Sequence, residues 1–151
     1  MSYADVLSWL ERDGVRYVVV GGVAIQLHGY ERETRDLDIV VDAAPAEAER
    51  ATRSLISAGF APTLPLPLAM LTVLTFLDRA GRSIDVFARY HVPFDELCAN
   101  SERVQIDGGS VRVASLADII RAKQLTRQPQ HLLDAEWLLA QAKLRAPERG
   151  R

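Results

Sequence analysis

The chain has 151 residues and a mass of 16.7 kDa, is 48% hydrophobic and carries a formal net charge of −2 with a pI near 5.9. That much apolar material at this length supports one packed core and argues against disorder. The slightly acidic balance excludes a broadly basic nucleic-acid surface, so any such contact must be local, and the single cysteine, Cys98, excludes an internal disulfide.

The opening segment, MSYADVLSWLERDG, has acids where a signal peptide has bases and then apolar residues, so a cytoplasmic protein is expected. Ala4 to Arg12 places Val6, Leu7 and Leu10 at helical spacing and stops at Asp13-Gly14. Arg16 to Val20 reads as a strand, Gly22 to His28 as two helical turns, Tyr30 to Arg35 as a polar loop and Leu37 to Val41 as a second strand. Asp42, ahead of Ala43-Ala44-Pro45, is expected at a strand end or turn. The run from Ala43 to Gly59 is amphipathic, with Pro45 in its first turn and glycine after its end, and should cover one sheet face.

Phe60 to Leu77 is uncharged but holds Pro62, Pro65 and Pro67 and falls short of the roughly 20 apolar residues of a spanning helix, so it reads as a loop leading into a strand, and no membrane partner is expected. Thr72 to Asp78 and Ser83 to Arg89 flank Arg79-Ala80-Gly81-Arg82 as an antiparallel hairpin. Arg103 to Ile106 and Val111 to Val113 flank Asp107-Gly108-Gly109-Ser110 as another. Helices are expected over Leu116 to Leu125 and His131 to Ala142, split by Arg127-Gln128-Pro129, with LRAPERGR frayed behind them. Trp137 with Leu133, Leu138 and Ala140 reads as core, as do Trp9 and Tyr17. The order predicts an α+β fold, a mixed, mostly antiparallel sheet with helices packed on it and a helical C-terminus, in one domain over residues 1–151 (core about 16–115, C-terminal helices about 116–142).

One strand carries the chemistry. Alternate strand residues share a face, so Asp36 and Asp38 point one way while Leu37 and Ile39 point to the core. Two carboxylates so close repel, and desolvating them without a partner costs several kcal/mol, about what a divalent cation relieves. Asp85, in Ser83-Ile84-Asp85-Val86-Phe87, repeats the pattern and joins the pair if its strand lies alongside. Three oxygen ligands suit Mg²⁺, with positions left for water and phosphate. Gly21 and Gly22, between a strand and a helix, let phosphate oxygens approach backbone N–H groups. A dinucleotide-binding turn is the competing reading, but GGVAIQ lacks the third glycine; no G-K-[ST] supports a phosphate-binding loop, and Cys98 with three scattered histidines makes no zinc site.

Taken together, Val20-Gly21-Gly22, a thirteen-residue spacer from Val23 to Arg35, Asp36-Leu37-Asp38-Ile39 and the later Asp85 resemble the nucleotidyltransferase superfamily related to DNA polymerase β. The run ASLADIIRAKQLTRQPQHLLDAEWL is similar to a segment of its small bacterial members, including the abortive-infection type IV toxins; Lys123 and Asp134 match that pattern, and Gln130-His131 stands where those relatives often have Lys-Asp. The resemblance implies the polymerase β-like fold and transfer of a nucleoside monophosphate from a nucleoside triphosphate to an acceptor hydroxyl. It implies Asp36, Asp38 and Asp85 as catalytic metal ligands for two Mg²⁺ ions, with Mn²⁺ as a substitute, and Asp85 as proton acceptor. It implies Gly21, Gly22 and Lys123 at the nucleotide; Arg35, with Arg32 and Thr34, lies just before the acids and within reach of a triphosphate. The acceptor it leaves open is a tRNA 3′ end, a protein or an antibiotic, and an antitoxin protein is the partner its toxin members take. Arg121, Lys123 and Arg127 form the one expected basic patch, His28 and His131 are expected at helix ends, and a non-catalytic module of the same fold is the alternative.

Overall fold

The chain begins its fold with helix α1 (Ala4–Arg12), which turns Val6, Leu7 and Leu10 into the core. The computed structural model describes residues 3–149. Strand β1 (Tyr17–Val20) is buried throughout and passes directly into helix α2 (Gly21–Leu27). After the loop of residues 28–35 come strand β2 (Asp36–Val41) and helix α3 (Pro45–Ser57), whose proline sits in the first turn, where its missing N–H costs nothing. Asp42 does close the strand: it pairs with Arg16 at 2.8 Å and accepts the Ala44 N–H at 2.9 Å.

The proline-rich stretch is more structured than a loop. It holds a two-residue strand, β3 (Ala61–Pro62), and a short 3₁₀ turn (Leu68–Met70) before β4 (Val73–Leu77). Strand β5 (Ser83–Phe87) pairs with β4 as the expected hairpin, closed by the Asp78 N–H to Arg82 carbonyl bond. Helix α4 (Phe94–Asn100) was not expected: seven residues are too few for a periodic pattern, although Pro93 at its cap and Asp95 and Glu96 in its first turn are start signals. Strands β6 (Glu102–Ile106) and β7 (Gly109–Val113) form the second hairpin.

Helix α5 (Leu116–Leu125) is capped by Ser115, which accepts the Asp118 N–H. Helix α6 (Pro129–Arg149) starts two residues earlier than expected, because proline is tolerated in a first turn, and it carries through Leu144 to Arg149 instead of fraying. Gly150 and Arg151, the rest of that predicted tail, lie outside the described residues. The core assignment on α6 is also corrected. Leu138 is buried, but Leu133, Trp137 and Ala140 face outward, and Trp9 is half-buried under the Arg12 guanidinium, 3.8 Å from its ring centroid. Tyr17 is buried as expected.

The described strands form one sheet in the order β3-β4-β5-β2-β1-β7-β6. Four of its pairings are antiparallel and two, β2 with β5 and β1 with β7, are parallel, so the sheet is mixed and mostly antiparallel. Leu37, Ile39, Ile84, Val86, Leu74 and Phe76 fill one side of the central strands, each at most 1% exposed. Burying side chains of this kind contributes roughly 1.5–3 kcal/mol each, and it fixes register, because a one-residue slip would turn them all outward. That same register decides which polar residues meet on the opposite face.

Candidate active site

β2 and β5 run parallel with Asp36 opposite Ser83 and Asp38 opposite Asp85. Adjacent strands lie about 4.8 Å apart, so the in-register Asp38 and Asp85 carboxylates are side by side, with Asp36 two residues back on the same face. β4 extends the row, since Thr75 is the register partner of Asp85 and its hydroxyl donates to Asp85 Oδ1 at 2.6 Å. Three strands thus deliver Thr75, Asp85 and Asp38 in a line, and hydrophobic burial of their neighbours holds that line in place.

The row is electrostatically loaded. Burial, then the Asp85 and Asp36 charges, push the Asp38 carboxyl up to about 7, while Lys123 pulls the other way. Burial and the Asp38 charge likewise raise the Tyr90 phenol to about 12. A set of oxygen donors that repel one another is chemically suited to a hard divalent cation, which would offset the repulsion. As placed, no group of three His, Cys, Asp or Glu side chains among the described residues is gathered to hold a metal ion.

Glycine at position 21 is required twice over. Its φ of +68° lies in the left-handed region, and a Cβ there would stand 2.3 Å from Asp38 Oδ2. The β1–α2 backbone therefore lies directly against the carboxylate. At Gly22 a Cβ would meet the Thr34 side chain, 2.7 Å from Oγ1, which brings the polar loop onto the same helix start.

That loop is tied down on all sides. Tyr3, 2% exposed, places its hydroxyl 2.5 Å from the Arg35 carbonyl and 3.0 Å from the Ser83 carbonyl, joining the entrances of β2 and β5. Gln26 donates to the Arg32 carbonyl at 2.5 Å, and Thr34 to the Asp36 carbonyl at 3.2 Å. The Arg32 side chain pairs with Asp134 on α6, at 2.6 Å. Lys123 on α5 sits 2.5 Å from the other oxygen of Asp134, an ionic contact and not an aligned hydrogen bond. Burial pushes Asp134 up, but these two cations outweigh it and hold its carboxyl below the ordinary range.

The structure thus brings Asp36, Asp38, Asp85 and Gly21 together, with Gly22 beside them against Thr34. Lys123 feels the site, as its pull on Asp38 shows, yet is ion-paired to Asp134. Arg35 is exposed at the mouth of β2, its guanidinium without a partner among the described residues. The expected basic patch is largely neutralised: Arg121 pairs with Glu96 at 2.7 Å and Lys123 with Asp134, leaving Arg127. His28 caps α2 and bonds the Ala114 carbonyl at 2.7 Å, and His131, in the first turn of α6, bonds Thr126 at 2.8 Å; both are helix-end residues as expected. Sequence reasoning missed Tyr3, Thr75 and Tyr90. Thr75 left a signal, a polar residue between the buried Leu74 and Phe76, but its partner depends on turn length.

Solved structures share this architecture. Antibiotic-resistance factor ANT(2″)-Ia, in complex with adenylyl-2″-tobramycin, matches with a TM-score of 0.63 at 17% identity, over 97% of this chain and 94% of its own. A provisionally assigned nucleotidyltransferase of Thermotoga maritima, TM1012, matches with a TM-score of 0.62 at 17% identity, over 99% and 92%. The lincosamide antibiotic adenylyltransferase LnuA, bound to lincomycin, matches with a TM-score of 0.60 at 16% identity, over 88% and 91%. No protein-family model and no curated protein matches the sequence. The chain has the nucleotidyltransferase fold, and no helix among the described residues is long and apolar enough to cross a membrane.

Proposed function

We propose that the chain is a metal-dependent nucleotidyltransferase that moves a nucleoside monophosphate from a nucleoside triphosphate to an acceptor hydroxyl, the whole chain acting as one catalytic unit. The observation that carries this reading is the in-register Asp38–Asp85 pair with Asp36 on the same face and the Gly21 backbone against Asp38. Such a cluster destabilises an unliganded fold, and among the described side chains the Thr75 hydroxyl is the one hydrogen-bond partner of its carboxylates.

Asp36, Asp38 and Asp85 would hold Mg²⁺ or Mn²⁺, two ions in the fullest form, and the metal would neutralise the triphosphate and lower the pKa of the acceptor hydroxyl. Thr75 fixes one oxygen of Asp85 and leaves the other to take the acceptor proton. The acceptor oxygen then bonds to the α-phosphorus as the bond to pyrophosphate breaks. Gly21 and Gly22 bound the phosphate side, Arg35 is the cation at the mouth, and Lys123 adds positive potential from behind. Catalysis of this kind is positioning and electrostatics on a rigid frame.

A small-molecule hydroxyl is our first choice of acceptor. Arg121 and Lys123 are already paired with acids, which removes two of the three cations of the basic patch an RNA backbone would use. The antibiotic-modifying proteins that share the fold support this choice. The likeness of residues 114–138 to abortive-infection toxins supports a second one, a toxin acting on a tRNA 3′ end or a protein and held in check by an antitoxin. Incubation with each α-labelled nucleoside triphosphate, Mg²⁺ and separate pools of small molecules, RNA and protein decides among them by which pool gains label. Label in no pool, with no metal-dependent nucleotide binding, would leave the fold serving as a non-catalytic module.

A further inference from the structure

Helix α6 has two working faces. Ala135 and Leu138 enter the core and Asp134 holds Arg32 and Lys123, while Leu133, Trp137, Ala140 and Leu144 form an apolar stripe on the exposed side, Trp137 with its ring edge-on to Tyr30, 6.0 Å between centroids, and 43% of its surface open. Leu133 is 67% exposed and Leu144 72%. Their spacing of four, three and four residues is the alternation of a coiled-coil seam, which keeps one stripe turned toward one neighbouring helix.

The sequence around the stripe specifies which helix. Under a two-fold axis between positions 138 and 139, an antiparallel copy sets Leu133 against Leu144 of the other chain and Trp137 against Ala140, so the largest side chain meets the smallest. The same operation brings Glu136 beside Lys143 of the other chain, twice per pair. Both residues are exposed, and neither has an ion-pair partner among the described residues. A parallel arrangement fits worse: it stacks Trp137 on Trp137 and Ala140 on Ala140, and it leaves Glu136 facing Gln141. Volume and charge therefore agree on one self-complementary register, as a two-fold interface requires.

We propose that the chain forms an antiparallel homodimer through this face of α6. The seam spans about three helical turns, at the low end of specific interfaces of roughly 1,000 Å², so the dimer dissociates on dilution. It lies on the helix that carries Asp134, so the second copy braces the element that positions Lys123.

Sedimentation velocity on the full chain, from low to high micromolar concentration, tests this. The wild type should pass from monomer to dimer, and Leu144→Lys or Leu133→Glu, both at exposed positions, should abolish the dimer while dilute samples melt as wild type does. Glu136→Lys alone and Lys143→Glu alone should each weaken association about tenfold by replacing two attractions with two repulsions, and the double exchange should restore it. A wild type that stays monomeric throughout, a helical protein partner seating on the seam of such a monomer, an undiminished Leu144→Lys dimer, or a double exchange that fails to restore association would each overturn the proposal.

Discussion

The two charge clusters on either side of Lys123 are built on opposite logic. In the strand row, Asp36, Asp38 and Asp85 are like charges held together by the burial of their apolar neighbours, and Asp38 is raised to about 7 as a result. In the helix cluster, Asp134 lies between Arg32 and Lys123, its charge answered from both sides and its carboxyl lowered. The helix cluster is complete as it stands and ties the polar loop to the C-terminal helices. In the function proposed above, a divalent cation completes the strand row. Charge is satisfied internally in the helix cluster and left unsatisfied in the strand row, and the proposed function rests on that difference.

The largest expected effect separates the clusters outright. Asp38→Asn should lower nucleotidyl transfer by about 10³-fold or more, the scale of losing a group that stabilises the transition state, while raising the metal-free melting temperature by about 2–4 °C. Asp134→Ala should do the reverse to the fold, leaving two half-buried cations without their anion, at a cost of about 2 kcal/mol in a denaturant melt.

Titration sharpens the contrast. Between the ordinary carboxylate value of 3.8 and about 7 the folded chain binds more protons at Asp38 than the unfolded chain does, so that group makes stability fall as pH rises. Asp134, with its carboxyl lowered, contributes stability above the unfolded value and loses it on acidification. Metal-free melts across this range should therefore slope less steeply downward with pH in Asp38→Asn, and adding Mg²⁺ should flatten the wild type alone. Gly21→Ala comes next. Strain at φ +68° costs about 1–2 kcal/mol and the added methyl displaces the Asp38 carboxylate, so activity should fall further than stability accounts for. Thr75→Val is the smallest, removing one hydrogen bond from Asp85 for a loss in turnover of roughly tenfold or less, read as kcat against KM.

Much of this was legible in the residues. Alternation of Asp36 and Asp38 with Leu37 and Ile39 gave both the strand and its polar face, and the glycines before them gave the helix start. Asp85 joins them only if β5 lies beside β2, a condition the residues leave open and the parallel pairing fulfils in register. What stayed hidden depends on tertiary geometry. Tyr3 reads as one aromatic near the start of the chain, yet it bridges two strand entrances 32 and 80 residues away. Trp137 reads as core because its ring is large, yet it is 43% exposed and meets the core only edge-on at Tyr30. Lys123 was expected at a phosphate and is found with Asp134, a partner that only the packing of α6 against α5 brings close.

The claim that the strand row needs a cation is tested most directly by Mn²⁺ binding, followed by electron paramagnetic resonance with and without a non-hydrolysable nucleoside triphosphate analogue. The wild type should bind Mn²⁺, bind it more tightly with the nucleotide, and lose at least about 100-fold of that affinity in Asp38→Asn but not in Thr75→Val. Equal Mn²⁺ binding by wild type and Asp38→Asn, or no binding by either, would contradict the account.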